Sequence, residues 1–179
     1  MREVSRVLSN VLLYSLFSLF LVTLQTSLWY LWLGPFPPPY LWIPPIVFLA
    51  LYRPPLKAIF TIYVVSIAIS SMSSISSGLL MLNHLLIFTI LLTLKSRIFW
   101  IGKSYFVIAT TLACFSFVPI HWILSLIVES NPIPYPRVLP WFVGVLLTPL
   151  FSTLMYNVFN WLDRITKADQ VQEIGTDIF

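Results

Sequence analysis

Long runs of uncharged, mostly apolar residues alternate along this chain with short segments that carry Lys or Arg. The four charge-free runs cover residues 7–52, 58–94, 104–128 and 138–162. A membrane-spanning helix needs about 20 predominantly apolar residues, with a range of about 17–25. The last two runs therefore predict one spanning helix each, whereas each of the first two is long enough for two.

Proline divides the first run. Residues 34–39 read Gly-Pro-Phe-Pro-Pro-Pro, and a helix cannot continue here because proline lacks a backbone N–H and clashes with the preceding turn. Spanning helices are therefore predicted over residues 7–33 and 42–52. A Pro-Pro pair at the start of the second span predicts an extended or broken lead-in over 40–45, with regular helix only from Ile46.

A serine cluster divides the second run. As a single helix rising about 1.5 Å per residue, this run would reach roughly 55 Å, far beyond a hydrocarbon core of about 30 Å. The uncharged segment Ser70–Gly78 is the place where the chain can fold back. This predicts a third span over 56–71 and a fourth over 79–94.

Composition places most of the chain in lipid. The 179 residues are 59% hydrophobic and only 9% charged, whereas an average soluble domain has roughly 25% charged residues. We therefore predict one all-α, polytopic membrane domain over 1–179 with six transmembrane helices. The six spans cover residues 7–33, 42–52, 56–71, 79–94, 104–128 and 138–162, and residues 163–179 form a cytoplasmic tail.

The distribution of basic residues predicts the orientation. Lys and Arg collect on the cytoplasmic side of short loops. With six spans and a cytoplasmic N-terminus, nine of the ten basic residues are cytoplasmic and only Arg137 is external. The net charge of +4 therefore indicates topology, with both termini cytoplasmic, and not nucleic-acid binding. The main topology determinants are Arg53, Lys57, Lys95, Arg97 and Lys103.

The serine-rich turn and the residues after it are the candidates for partner contact or helix packing. Small residues four apart on a helix let two backbones approach closely, and their hydroxyls can bond across helices. A polar, partner-docking surface is the alternative reading of the same pattern. The candidate residues are Ser70, Ser71, Ser74, Ser77, Gly78, Asn83 and His84.

Asn83 and His84 raise a separate question because polar side chains at membrane depth are often functional. They can contact a partner chain, or they can cap a helix and hydrogen-bond between helices. His121 has no acidic neighbour in sequence, and two histidines without intramembrane carboxylates make a poor metal site. Cys114 is the lone cysteine and offers neither a disulfide nor a thiolate site.

Several enzyme and transporter classes lack their residues in this sequence. Glu129 is the only acidic residue between Glu3 and Asp163, whereas ion-coupled transport usually needs carboxylates within the bundle. His-Glu-x-x-His, Gly-x-Ser-x-Gly and phosphate-binding glycine loops are also missing from the sequence. We therefore predict a protein that is not an enzyme and has no cofactor or metal.

Three motifs occur in a recognisable order. First, the Pro-rich loop leads into a short second span that closes with Ala-Leu-Tyr-Arg-Pro at 50–54. Second, the turn Ser-Ser-Gly-Leu at 76–79 is followed by His84. Third, the last span ends with Asn-Val-Phe-Asn-Trp-Leu-Asp-Arg at 157–164. This order resembles the bacterial rod-shape-determining membrane protein MreD family over residues 35–164. Members commonly carry an acidic residue near the end of the third span, where this chain has Ser70-Ser71.

The resemblance implies a non-enzymatic inner-membrane scaffold of the cell-elongation machinery that directs peptidoglycan synthesis. Such a scaffold binds an MreC-like membrane protein and, through it, the MreB filament and the peptidoglycan synthases. The implied fold is similar to the substrate-binding component of energy-coupling-factor transporters. The alternative function is therefore a small-molecule-binding subunit of a vitamin transporter. Those components dock through an Ala-x-x-x-Ala motif, which the bulky residues 13–20 of the first span lack.

Overall fold

The computed structural model describes residues 2–73, 75–97, 102–132 and 134–166, with only the backbone described for 2–7 and 96. The chain is helical throughout these ranges, apart from its turns and loops, and they contain no strand. The helices are α1 (Arg2–Thr23), a π-helical segment (Leu24–Leu28), α2 (Trp29–Leu33), α3 (Ile43–Tyr52), α4 (Pro55–Ser70), α5 (Ser77–Arg97), α6 (Lys103–Val128) and α7 (Val138–Thr166).

Four helical stretches within the described residues are long and apolar enough to cross a membrane. They are Leu8–Leu33, Ser77–Lys95, Lys103–Val128 and Val138–Thr166. The other two apolar helices, α3 and α4, have 10 and 16 residues, which corresponds to about 15 Å and 24 Å of helix. The all-helical class is thus confirmed for the described residues, and four of the six predicted spans correspond to candidate membrane-spanning helices.

Helix α3 is short because it lies inside the bundle. Every residue from Ile43 to Leu51 is buried, and the helix contacts α4, α5, α6 and α7. A helix that is apolar on all sides is stable when protein surrounds it. Since its neighbours cover its ends and its sides, α3 does not have to match the thickness of the hydrocarbon core.

The lead-in to α3 differs from the prediction, because the helix already begins at Ile43 and includes Pro44 and Pro45 in its first turn. The first backbone N–H groups of a helix have no partner within the helix, so proline loses nothing at this position. The predicted extended segment over 40–45 is therefore wrong for its second half. The predicted turn in the serine cluster is confirmed, since α4 ends at Ser70 and α5 begins at Ser77.

Aromatic rings fill the centre of the bundle. The ring of Phe48 in α3 lies 4.9 Å from that of Phe159 in α7 and 6.0 Å from that of Phe106 in α6, measured between ring centroids. Tyr14 in α1 stacks on Phe159 at 5.8 Å. These contacts tie α1, α6 and α7 to the central helix.

The bundle has two chemically different ends. At one end Asn10 of α1 donates to Thr166 at the close of α7, at 2.8 Å, and we call this the basic end because Lys57 and Lys103 also lie at helix starts there. At the other end the side chain of Gln25, in the π-helical segment, accepts from the backbone N–H of residue 41 at 2.9 Å. We call this the proline-loop end.

Candidate functional site

A buried ion pair lies at the basic end. The Arg53 guanidinium donates to the Asp163 carboxylate, and the side chains are only 4% and 3% exposed. Tyr14 Oη donates to the same carboxylate oxygen at 2.7 Å. The Arg53 guanidinium also lies over the Tyr14 ring, 5.6 Å from its centroid, within cation–π range. Three helices, α1, α3 and α7, are joined by this Tyr14–Arg53–Asp163 cluster.

The ion pair bears on two predictions. Arg53 caps α3 through its backbone N–H to Leu49 at 3.2 Å and buries its side chain, and its role as a topology determinant stays a prediction. Asp163 does not start a solvated tail, because α7 continues to Thr166 and both residues are buried. The physical reason is charge compensation: a cation at the end of a buried helix requires a buried counter-charge, and Asp163 supplies it.

The remaining topology determinants lie at the surface of the basic end. Lys57, Arg97 and Lys103 are exposed. Lys95 is half-buried, and its Nζ donates to the Leu51 carbonyl at the end of α3. Lys57, Arg97 and Lys103 thus carry their charges at the surface, and Lys95 places its charge at the end of α3.

A second polar cluster joins α4, α5 and α6 in the proline-loop half. His84 is fully buried, and its Nδ1 lies 2.7 Å from Ser66 Oγ. The Ser66 hydroxyl also bonds the carbonyl of Ile62, at 2.7 Å. Asn83 is fully buried as well, and its Nδ2 donates to the Phe117 carbonyl at 3.2 Å. Both side chains therefore form hydrogen bonds between helices.

Aromatic rings enclose this cluster. The Trp42 ring lies 5.2 Å from the His84 ring and 4.4 Å from the Phe117 ring, the latter in an edge-to-face arrangement. Phe117 lies 6.1 Å from His84 on one side and stacks on His121 at 5.5 Å with an interplanar angle of 11°. Both histidines of the chain therefore contact the same phenylalanine ring.

The structure separates the candidate set into two groups. Asn83 and His84 have no exposed surface, and each forms a hydrogen bond to a neighbouring helix, as expected for the packing alternative. Ser71, Ser77 and Gly78 are exposed at the α4–α5 turn. The hydroxyls of Ser70 and Ser71 bond carbonyls of their own helix at 2.9 Å and 2.7 Å, and Ser74 lies outside the described residues.

A cavity of about 460 Å³ opens among the loops of the proline-loop end. Its walls include Tyr30, Tyr40, Arg137 and Trp141, together with five prolines. Burial raises the pKa of the Tyr40 phenol to about 12, so this phenol is neutral at physiological pH, whereas Arg137 brings a positive charge to the lining. Within the residues that the structure describes, no group of three or more His, Cys, Asp or Glu side chains could hold a metal ion.

Close packing fixes the loop that forms this wall. The backbone N–H of Tyr40 donates to Thr148 Oγ1 at 2.8 Å. A Cβ at Gly144 would lie 2.8 Å from Cε2 of Tyr40 and 3.1 Å from the Pro38 carbonyl. Only glycine at this position of α7 lets the loop approach so closely, so the cavity depends on it.

Sequence reasoning missed three of the residues that hold these sites. Tyr14 and Ser66 occur among many similar apolar and small residues, and nothing in the local pattern distinguishes them. Asp163 did carry a signal, since it is an acid that directly follows a predicted span at its basic end. An arginine directly after a buried helix is the matching signal, and together they indicate an ion pair.

Comparisons with protein-family models, with curated proteins and with solved structures found no match. Inferences about function therefore rest on the contacts described above and on the motif order in the sequence.

Proposed function

We propose that this chain is a non-enzymatic scaffold of the bacterial cell-elongation machinery in the cytoplasmic membrane, where it binds an MreC-like membrane protein. The observation that carries the proposal is the Arg53–Asp163 pair. It links residues 50–54 to residues 157–164, two of the segments on which the resemblance to the MreD family rests. Because the two segments contact each other, they form one structural unit, and this supports the view that their similarity to the family is not a chance similarity of apolar sequence.

The scaffold crosses the membrane six times in this proposal, with α3 and α4 as short crossings and both termini in the cytoplasm. Exposure of Lys57, Arg97 and Lys103 at the basic end supports this orientation, since basic residues accumulate on the cytoplasmic side. Arg137 is exposed at the proline-loop end. Wrapping of α3 by its neighbours makes a crossing of about 15 Å acceptable, because no lipid has to match it.

Cysteine labelling tests the orientation. With Cys114→Ser as background, Ser77→Cys should react with a membrane-impermeant maleimide in spheroplasts, and Lys57→Cys should react only after permeabilisation. Both positions are exposed, so failure to label cannot be ascribed to burial. Labelling of Lys57→Cys in intact spheroplasts would reverse the topology.

The partner contact is proposed for the α4–α5 turn and not for Asn83 and His84. Ser71, Ser77 and Gly78 are exposed there, and a Cβ at Gly78 would meet nothing within 4 Å. These small side chains allow a partner chain to approach the backbone closely. The turn lies where the resembled family tends to carry an acidic residue, so hydroxyls replace a charge in the proposed contact.

Photocrosslinking tests this contact. A benzophenone amino acid at residue 77 should crosslink to a co-expressed MreC-like protein, whereas the same group at Leu150, which is 67% exposed on α7, serves as a control directed at lipid.

Depletion of the protein should round a rod-shaped cell. A strain that keeps its rod shape without the protein would exclude the elongation role.

A specific observation favours a second function, that of a small-molecule-binding subunit of a vitamin transporter. The cavity at the proline-loop end has the volume of a small-ligand site, about 460 Å³, and such sites usually measure roughly 300–1,000 Å³. Purification with native lipids separates the two functions. Recovery of a tightly bound vitamin without an MreC-like chain would favour the transporter subunit.

A further inference from the structure

Three buried side chains on α5 and α6 in the proline-loop half have polar atoms for which no partner exists among the described residues. These atoms are Oδ1 of Asn83, Nε2 of His84 and both ring nitrogens of His121. The exposed fractions of the three residues are 0%, 0% and 8%. A buried polar group without a hydrogen bond costs about 1–3 kcal/mol, so several such atoms on neighbouring helices require an explanation.

The hydrogen bonds around Ser66 assign the proton on His84. The Ser66 hydroxyl carries one proton, and its bond to the Ile62 carbonyl four residues earlier is the ordinary one for a helical serine. The serine oxygen is then the acceptor for His84 Nδ1–H. In the neutral imidazole, Nε2 is consequently an acceptor. Asn83 Oδ1 is also an acceptor, because the Nδ2 of the same amide donates to Phe117.

The unsatisfied atoms together define a complementary group. His84 Nε2 and Asn83 Oδ1 each need a donor, whereas a neutral His121 offers one donor and one acceptor. A hydroxyl group donates one hydrogen bond and also accepts, so an organic hydroxyl can satisfy one acceptor on α5 and the donor on α6, whereas a water molecule, with two protons, can satisfy both acceptors. An ammonium group would leave the donor of His121 unmatched, and a carboxylate would leave the two acceptors unmatched.

We propose that Asn83, His84 and His121 line a buried site for a hydroxyl-bearing ligand in the proline-loop half of the bundle. The hydroxyl donates to His84 Nε2 and accepts from His121, and Trp42 and Phe117 form apolar walls around it. Water and the hydroxyl of an organic molecule share this chemistry. The site does not depend on which scaffold or transport role the protein has.

The cavity of the proline-loop end lies next to this site. Tyr40 and Val118 line the cavity. The Tyr40 ring lies 6.4 Å from the Phe117 ring and 6.3 Å from the Trp42 ring, and both of those rings contact His84. One layer of aromatic rings therefore separates the cavity from the site.

Nitrogen NMR of the intact, unsubstituted protein in lipid bilayers tests the proposal, and one variant serves only to assign the signals. The chain contains two histidines, so a single His121→Phe variant assigns both ¹⁵N signals. For His84 we expect a protonated Nδ1, and an Nε2 whose chemical shift is that of an acceptor engaged by a donor. Magnetisation transfer from water protons to Nε2 identifies water as the source. An engaged Nε2 without that transfer identifies an organic hydroxyl, which mass spectrometry of protein from native membranes then detects.

Variants extend the test to the organic arm. If an organic ligand is detected, His84→Phe should lower its retention about tenfold or more, because each lost hydrogen bond to a buried group costs about 1–3 kcal/mol. Thr89→Val is the matched control, since Thr89 is an exposed polar residue of the same helix. An Nε2 shift typical of an acceptor without a donor, or a protonated Nε2, would overturn the proposal.

Discussion

Removal of one member of the Arg53–Asp163 pair tests directly how the basic end of the bundle is held. Asp163→Asn keeps the shape of the side chain and removes the carboxylate charge that the Arg53 guanidinium contacts. Breaking a buried pair in this way costs about 3–5 kcal/mol. At about 1.4 kcal/mol per power of ten, the unfolding equilibrium constant should rise by a factor of roughly 100 to 4,000.

The double variant Arg53→Met with Asp163→Leu separates loss of charge from loss of packing. Replacement of a buried pair by apolar residues of similar volume is often neutral, or stabilising by about 1–4 kcal/mol. We therefore expect the double variant to be more stable than either single variant. A positive coupling of this kind requires that the two charges interact in the folded state.

The chain contains its own probe for the measurement. Cys114 is the only cysteine and is fully buried in α6, so a thiol-reactive fluorophore labels it only when the bundle opens. Where closing is faster than labelling, the labelling rate follows the opening equilibrium. Asp163→Asn should therefore label about 100-fold faster or more than the unsubstituted chain in the same detergent.

Arg164→Gln is the matched control, because it removes an exposed charge from the adjacent position of the same helix. An exposed substitution usually changes stability by no more than about 0.5 kcal/mol, so its labelling rate should stay within about threefold of the unsubstituted rate. If Asp163→Asn labels no faster than Arg164→Gln, or if the double variant shows the summed loss of both single variants, the assignment of the pair is wrong.

Three further substitutions test the proline-loop end with the same labelling assay. Gly144→Ala should lower the free energy of unfolding by about 1–3 kcal/mol, because the new Cβ would overlap the Tyr40 ring. Gly78→Ala is the control, since its Cβ has open space, and it should be neutral or slightly stabilising. Equal losses in the two variants would contradict the close approach of the loop to Gly144. Thr148→Val should cost about 1–3 kcal/mol by leaving the Tyr40 N–H without its acceptor, and a loss below about 0.5 kcal/mol would show that this bond is dispensable. Gln25→Leu removes the acceptor of the next loop N–H and should cause a loss of similar size, whereas unchanged labelling would show that the loop finds another acceptor.

The positions of the helices were predictable because lipid imposes a strong and local requirement. Helix α6 runs over Lys103–Val128, against a predicted 104–128, since charged residues bound an apolar run of the right length. The serine turn was predictable for the same reason, because a single helix over that run would be far too long. These features depend only on a window of sequence and on the thickness of the bilayer.

Depth within the bundle was not predictable, because it depends on which helices surround a segment. Nothing local marks α3 as a central helix, and its prolines suggested an irregular segment until the structure placed them in the first turn. Arg53 looked like other loop cations since its counter-charge lies 110 positions away. His84 could be named from its residue type, but its bond to Ser66 requires knowledge of how α4 packs on α5.

The sequence separation of the Arg53–Asp163 pair also has a consequence for synthesis. At about 5–20 residues per second, Asp163 leaves the ribosome roughly 5 to 20 seconds after Arg53. During that interval the cation at the end of α3 lacks its carboxylate, so α3 cannot bury its last turn. Closure of the bundle therefore waits until α7 is inserted. Nascent chains that stop before Asp163 retain an exposed charge that membrane quality control can recognise, and Arg53→Leu should prolong the lifetime of such truncated chains.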